Sequence, residues 1–311
     1  MPSTTAIRTR GRLRRGQSLS ALRRREATLG YLFISPWVLG LLIFTIGPFI
    51  ASLYLSFTTY SILQPGNWVG LRNYVTAFTD DRLFYKVLWN TAYYVLGSVP
   101  LRIVLAFALA LLLNASVRGL TMWRTLFYVP SITPIVATIV LWRYLLHPKF
   151  GLINYALSLV GIKAIPWLTS PIWSKPALLV MSVWWVGGNM VIFLAGLQGI
   201  PQHLYEAAEL DGANAWRRLR HVTLPMMTPT IYFNLVMNLI NAFQVFTQSF
   251  IMTRGGPLDS TRFYMHYLYD NAFLYFKMGY ASALAWVLFV IIFALTLLTV
   301  KTSGRWVFYG G

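Results

Sequence analysis

Long charge-free apolar stretches alternate along the chain with short charged connectors, and their lengths set the first expectation. No Asp, Glu, Lys or Arg occurs from Ala27 to Leu71, Val87 to Leu101, Ile103 to Val117, Thr125 to Trp142, Pro176 to Tyr205, His221 to Thr253 or Met278 to Val300. A bilayer core takes about 20 apolar residues per helix. With the second and third stretches merged across Arg102, the pattern predicts an all-α integral membrane protein with six transmembrane helices, over 29–57, 87–113, 123–146, 176–199, 226–252 and 279–302. The first stretch is too long for a signal peptide and lacks a small-residue cleavage site, so it is expected to stay as an anchor. The chain thus divides into a basic tail (1–28), a first transmembrane helix (29–57) and a core (87–302).

Composition agrees with this pattern. The 311 residues are 57% hydrophobic and 11% charged, with mean hydropathy +0.58, beyond the range of an ordinary soluble domain. A net charge of +18 would suit nucleic acid if the cations shared a folded face; lying between membrane-length runs, they suit the bilayer surface instead. Arg8, Arg10, Arg12, Arg14, Arg15, Arg23, Arg24, Arg25, Arg118, Arg124, Arg217, Arg218, Arg220, Lys301 and Arg305 fall on one side of the predicted topology. That bias places both termini in the cytoplasm. There is no cysteine, which excludes disulfides and thiolate metal sites.

What is missing narrows the chemistry. No glycine is followed by lysine, so the phosphate-cradling G-x-x-x-x-G-K-[ST] loop is absent and energy must come from elsewhere. All carboxylates lie outside the predicted spans, against an ion-coupled carrier. No metal-binding or acid–base constellation supplies catalytic residues for an integral membrane enzyme, the reading from a different class. Arg102 stands alone within its span and is expected at a helix or subunit interface, since facing lipid would be costly.

One connector is unusual. YEAAELDGANAWRRLRHVTLP, residues 205–225, is dense in mixed charge between two apolar runs. A short helix is expected from Gln202 to Leu210, then a turn at Asp211-Gly212, then a second short amphipathic helix, with Pro225 in the first turn of the next span. On physical grounds alone a solvated inter-helix loop is an equal alternative.

The run EAAELDGA (206–213) followed by VTLP (222–225) resembles the EAA loop of permease subunits of binding-protein-dependent ABC importers. Most of the chain resembles the carbohydrate (maltose-type) subgroup, in SPWVLGLLIFTIGPFIASLYLSF, WVGLRNYVTAF, GLTMWRTLFYVPSITP, TRGGPLDST and GYASALAWVLF. Val222 stands where that pattern usually has Ile. The resemblance implies a type I ABC importer permease fold in a bacterial cytoplasmic membrane. It implies that Glu206, Ala207, Ala208, Asp211, Gly212, Leu224 and Pro225 couple to a cytoplasmic ATPase dimer, on which ATP and Mg would bind. A second homologous permease and an extracytoplasmic solute-binding protein are implied as partners. No cofactor, metal or nucleic acid is expected on this chain.

Along the fifth span Asn234, Asn238, Asn241 and Gln248 recur at helical spacing, with Gln244 near the same face. Amides donate and accept, as sugar hydroxyls require, and Trp184, Trp185, Tyr232 and Phe246 could pack on sugar faces. With Trp185 and Asn189 of the fourth span, these amides form the expected substrate pathway; amide-mediated helix packing is the alternative. A polyol or glycerol-phosphate-like solute is left open beside a sugar.

Overall fold

The computed structural model describes residues 21–115 and 119–308. Arg8, Arg10, Arg12, Arg14, Arg15 and Arg118, which carry part of the predicted orientation, lie outside the described residues. Among the described residues all regular structure is helical, apart from two isolated antiparallel bridges, Thr58 to Trp68 and Ser61 to Gln64.

The chain divides into two units, Met1–Tyr54 and Leu55–Gly311. In the first, α1 (Ala21–Leu41) passes through a π-helical segment, Leu42–Ile46, into α2 (Gly47–Ser56), whose last two residues belong to the second unit. Apolar on every side, this helix has no single face to bury, and Phe33 and Phe44 are each 80% exposed. Such a surface suits lipid or another apolar chain, not water.

In the second unit α3 (Arg72–Thr79) leads to α4 (Arg82–Leu113). Asp81 caps α4: its carboxylate accepts from the backbone N–H groups of Leu83 and Phe84 at 2.9 and 3.1 Å, satisfying two donors that a helix start leaves open. Next come α5 (Leu120–Ile132), α6 (Ile135–Leu145) and α7 (Leu152–Leu159). α8 (Ser174–Ser182) continues through a tight turn, Val183–Trp185, into α9 (Val186–Gln198). The chain closes with α10 (Gln202–Leu210), α11 (Ala215–Arg218), α12 (Leu224–Phe243), α13 (Tyr264–Tyr269) and α14 (Met278–Ser303).

α4 is the axis of this unit, packed on α8, α9 and α12. One apolar cluster, including Phe84, Val87, Met181, Phe263 and Leu284, fills the end where α4 starts; another, including Ala106, Met190, Phe193 and Met227, fills the end where it stops. At the first end Asp81 meets Tyr267 and Tyr280, and Ser174 meets Ser260. At the other, the Arg124 guanidinium donates to Leu113 O at 2.9 Å, and the Phe308 N–H donates to Thr228 Oγ1 at 2.8 Å. Hence α4, α8–α9 and α14 run one way and α12 the other.

Among the described residues four helical segments are long and apolar enough to cross a membrane: Arg23–Ser56, Arg82–Leu113, Ser174–Gln198 and Met278–Ser303. The third predicted span, 123–146, is not one straight helix. It is the pair α5 and α6, bent by 98°. Pro134 pushes Thr133 to φ −67, ψ 138 and cannot donate to the turn before it, which ends α5. The fifth predicted span, 226–252, is also broken: α12 ends at Phe243, and helix resumes at Thr247, passing directly into a π segment, Ser249–Thr253. No proline or glycine marks this break. It sits where Val245 enters the core and the Ser249 hydroxyl is drawn to Thr261 O and His266.

Candidate functional site

The charged connector forms a platform at the end of the bundle where α12 begins. α10 closes with backbone bonds from Asp211 N to Ala207 O (3.0 Å), Gly212 N to Glu209 O (3.0 Å) and Ala213 N to Ala208 O (2.9 Å). Gly212 has φ +74, yet a Cβ there would meet nothing within 4 Å. The need for glycine is therefore conformational within this chain, because a β-carbon destabilises the left-handed region. Asn214 then caps α11 by accepting from Arg217 N at 2.9 Å.

α11 was expected to be a separate short helix. Instead it continues through a π segment, Leu219–Thr223, into α12, so Ala215 to Phe243 form one helical path. Widening just before Pro225 offers a route past the missing N–H without breaking the helix. Glu209 pairs with Arg218 and ties α10 to this path. Tyr205 OH and Thr223 Oγ1 lie 3.0 Å apart, and Leu204, Tyr205 and Val222 pack on the cluster formed by α4 and α9. The platform is thus fixed to the bundle from below.

Above, it is open. Glu206, Ala207, Asp211 and Gly212 are exposed, whereas Ala208, Leu224 and Pro225 are half-buried. Leu210 and Trp216, which sequence reasoning passed over, are 91% and 67% exposed. Two large apolar groups flanking a left-handed turn are the kind of surface a partner covers.

The amide series is divided by the fold. Asn234 and Asn238 are buried, donating to Thr230 O (3.0 Å) and Asn234 O (2.8 Å) of their own helix, and Asn238 Oδ1 is sealed without a partner. Asn241 and Gln244 are exposed. Gln248 follows the break and leads the π segment, so it does not continue the face of α12. Trp185 and Asn189 are half-buried on the α8–α9 path, with Asn189 Nδ2 sealed and unpaired. Trp184 packs edge-on against Trp142 and Tyr232 edge-on against Trp306, while Phe246 stacks on Phe250 and lies tilted against Tyr269.

At the opposite end the TRGGPLDST segment is clasped. The Asn90 amide donates to Asp259 O (2.8 Å) and Arg262 O (3.1 Å) and accepts from Lys175 Nζ (3.2 Å). Lys86 Nζ donates to Leu258 O at 2.6 Å, and Tyr264 N to Thr91 Oγ1 at 2.8 Å. His266 is buried between Ser249 Oγ (2.7 Å) and the Asp270 carboxylate (3.7 Å), which Arg262 also reaches at 3.4 Å. Burial lowers the His266 pKa, against the opposing pull of Asp270. Burial raises that of Tyr267, and the hydrogen bond it gives Asp81 adds to this. Asn90 and Thr91 interrupt an apolar run, the one sequence signal that could have exposed the clasp.

Residues 88–305 match the family described as "Binding-protein-dependent transport system inner membrane component". The chain is 46% identical over 290 residues to the probable ABC transporter permease protein YesP of Bacillus subtilis, covering 92% of this chain and 94% of that protein. It is 32% identical over 289 residues to the trehalose/maltose transport system permease protein MalF of Thermococcus litoralis, covering 91% and 96%. Its fold is similar to a chain in the crystal structure of a bacterial ABC transporter involved in the import of the acidic polysaccharide alginate. There the TM-score is 0.80 with 26% identity, over 90% of this chain and 96% of that one.

Proposed function

The chain belongs to the family of binding-protein-dependent transport system inner membrane components, and on that premise we propose that it passes a saccharide through the cytoplasmic membrane with the 202–225 platform facing the cytoplasm. As a family member it is the multi-pass permease of an ABC importer, not an enzyme, and ATP is hydrolysed by a separate subunit. It works with an extracytoplasmic solute-binding protein. In this reading a second permease chain completes the pathway, and an ATPase dimer that binds ATP and Mg drives it.

The observation that carries the coupling role is the platform itself. Its outer surface offers Glu206, Leu210 and Trp216 uncovered, while its base is continuous with α12. Closure of the ATPase dimer would seat this surface and move α12 as a body, since packed elements switch between arrangements more readily than they bend. The sidedness agrees with Arg217, Arg218, Arg220, Lys301 and Arg305 sharing that end. The saccharide is supported by the relatives named for trehalose, maltose and alginate, and by the exposed amides Asn241 and Gln244.

The test is uptake by the complete transporter, with binding protein and ATPase, in proteoliposomes. ATP-dependent entry of an oligosaccharide is expected, and Leu210→Ser with Trp216→Ser should abolish it. Entry of glycerol phosphate or a polyol but of no saccharide would replace the substrate class.

A further inference from the structure

We propose that Arg102 binds the acidic group of an anionic saccharide in transit, so that this permease serves acidic sugars in preference to neutral ones. This rests on the saccharide reading above and narrows it.

Arg102 ends a polar stripe on α4. Asn90, Tyr94, Ser98 and Arg102 recur every four residues, close enough to the helical period to share a face, and the first three are buried. The stripe begins at the clasp, where Asn90 has both its oxygen and its nitrogen engaged. It runs about 18 Å along the axis at about 1.5 Å per residue, and along it the partners run out. Ser98 Oγ and Arg102 Nε are sealed from solvent and have no hydrogen bond. Arg102 as a whole is half-buried, and its terminal nitrogens are not among the sealed atoms. The guanidinium therefore keeps its neck in the bundle and presents its fork outside it.

That fork lacks a counter-charge. Among the described residues no ion pair or hydrogen bond reaches Arg102, and no Asp or Glu occurs in α4, α5, α6, α8, α9, α12 or α14. Ile103 beside it packs on both apolar clusters, which holds α4 against turning the charge elsewhere. A bare cation at membrane depth is strongly disfavoured against lipid, so the fork must meet water or an anion. A neutral sugar would be met equally well by an amide, at far lower cost to the bundle. A planar fork with free donors fits a carboxylate, which it can hold through two parallel bonds. α12, which carries the amide series, packs directly on α4, so hydroxyl-binding and acid-binding groups share one helix pair.

The probes are tetragalacturonate and its full methyl ester, equal in length and different in charge, with maltotetraose as a neutral control. Uptake is measured with the complete transporter in proteoliposomes for wild type, Arg102→Gln and Arg102→Lys, each checked for co-purification with the second permease. Wild type should favour the acid. Arg102→Gln should lower acid uptake by about tenfold or more, the scale of one lost charge-assisted contact, with ester uptake unchanged and Arg102→Lys largely restoring the acid. Equal handling of acid and ester by wild type, or wild-type acid uptake by Arg102→Gln, overturns the proposal. Loss of the second permease from Arg102→Gln would assign the fork to a subunit contact and also overturn it. Entry of maltotetraose but not of the acid rejects acid recognition alone, whereas entry of no saccharide removes the reading beneath it.

Discussion

Glu209 and Arg218 form an ion pair across the Gly212 turn, while Glu206, one turn earlier on α10, has no ionic partner among the described residues. The pair is exposed by 58% and 32% on its two sides, so it is worth about 0.2–1 kcal/mol at most. Glu209→Gln should therefore leave ATPase co-purification close to wild type. Glu206→Lys should lose it, together with binding-protein-stimulated hydrolysis. The same mild effect in both variants would show that the unpaired carboxylate has no partner on the ATPase.

At Gly212 the backbone, not the available space, sets the requirement. Gly212→Val should cost about 1–2 kcal/mol for a β-carbon in the left-handed region, distorting the platform while the subunit still inserts. Gly212→Asn should be milder, because asparagine tolerates that region. ATPase-stimulated turnover in proteoliposomes ranks the three proteins, and a valine variant as active as wild type would count against a fixed turn.

Burial separates the two amides of α12. Asn241→Leu should lower saccharide uptake while the transporter assembles normally, because Asn241 is exposed in this chain. Asn238→Leu acts at a buried site and should first reduce the yield of assembled complex. Uptake normalised to assembled complex distinguishes them; unchanged normalised uptake for Asn241→Leu would leave amide packing as the role of the whole series.

The clasp depends on Asn90 more than on any single charge. Asn90→Ala removes the donor to Asp259 O and Arg262 O and the acceptor for Lys175. Buried groups left unpaired cost about 1–3 kcal/mol each. The thermal midpoint of the purified transporter should fall by several degrees; a midpoint unchanged within error would mean that water replaces the amide freely.

His266 gives the clasp a pH limit. Its folded pKa lies below the ordinary 6.5, so the unfolded chain takes up the proton first as pH falls. Stability tied to neutral His266 is thus complete above about pH 6.5 and lost as pH drops below it. The thermal midpoint should fall between pH 8 and about pH 5.5, and by less in His266→Gln, whose amide does not titrate in that range. An equal fall in both proteins would place the acid sensitivity elsewhere.

Membrane helices were legible because their signal is length without charge, which α8–α9 and α14 satisfy over nearly their whole extent and α4 satisfies only when two stretches are joined across Arg102. The break after Phe243 was not, since Gln244 to Phe246 carry no proline or glycine; the bonds of nearby Ser249 reach Thr261 and His266, which no local pattern links to it. The bend at Thr133 was written in Pro134, but the same residue type is tolerated inside α4 at Pro100 and inside α12 at Pro229. In the platform the EAA-like spelling pointed to the region, while Leu210 and Trp216 escaped notice because isolated apolar residues say nothing of exposure. The clasp lay outside reach for a simpler reason: Asn90 and Asp259 are 169 residues apart, and no local pattern links them.

The uninterrupted path from Ala215 to Phe243 is a helical rod about 42 Å long at about 1.5 Å per residue. Near mid-length a neighbour leaves it little room: a β-carbon on Gly196 would lie 2.7 Å from Thr230 Oγ1 and 3.0 Å from Met227 Cε. A rod pinned near its middle is a see-saw. If the rod turns about that point, pushing the platform inward would swing Phe243 outward by a similar distance, and the two ends of α12 would open alternately. Spin labels on Trp216 and Gln244 should accordingly report opposite displacements in any one step.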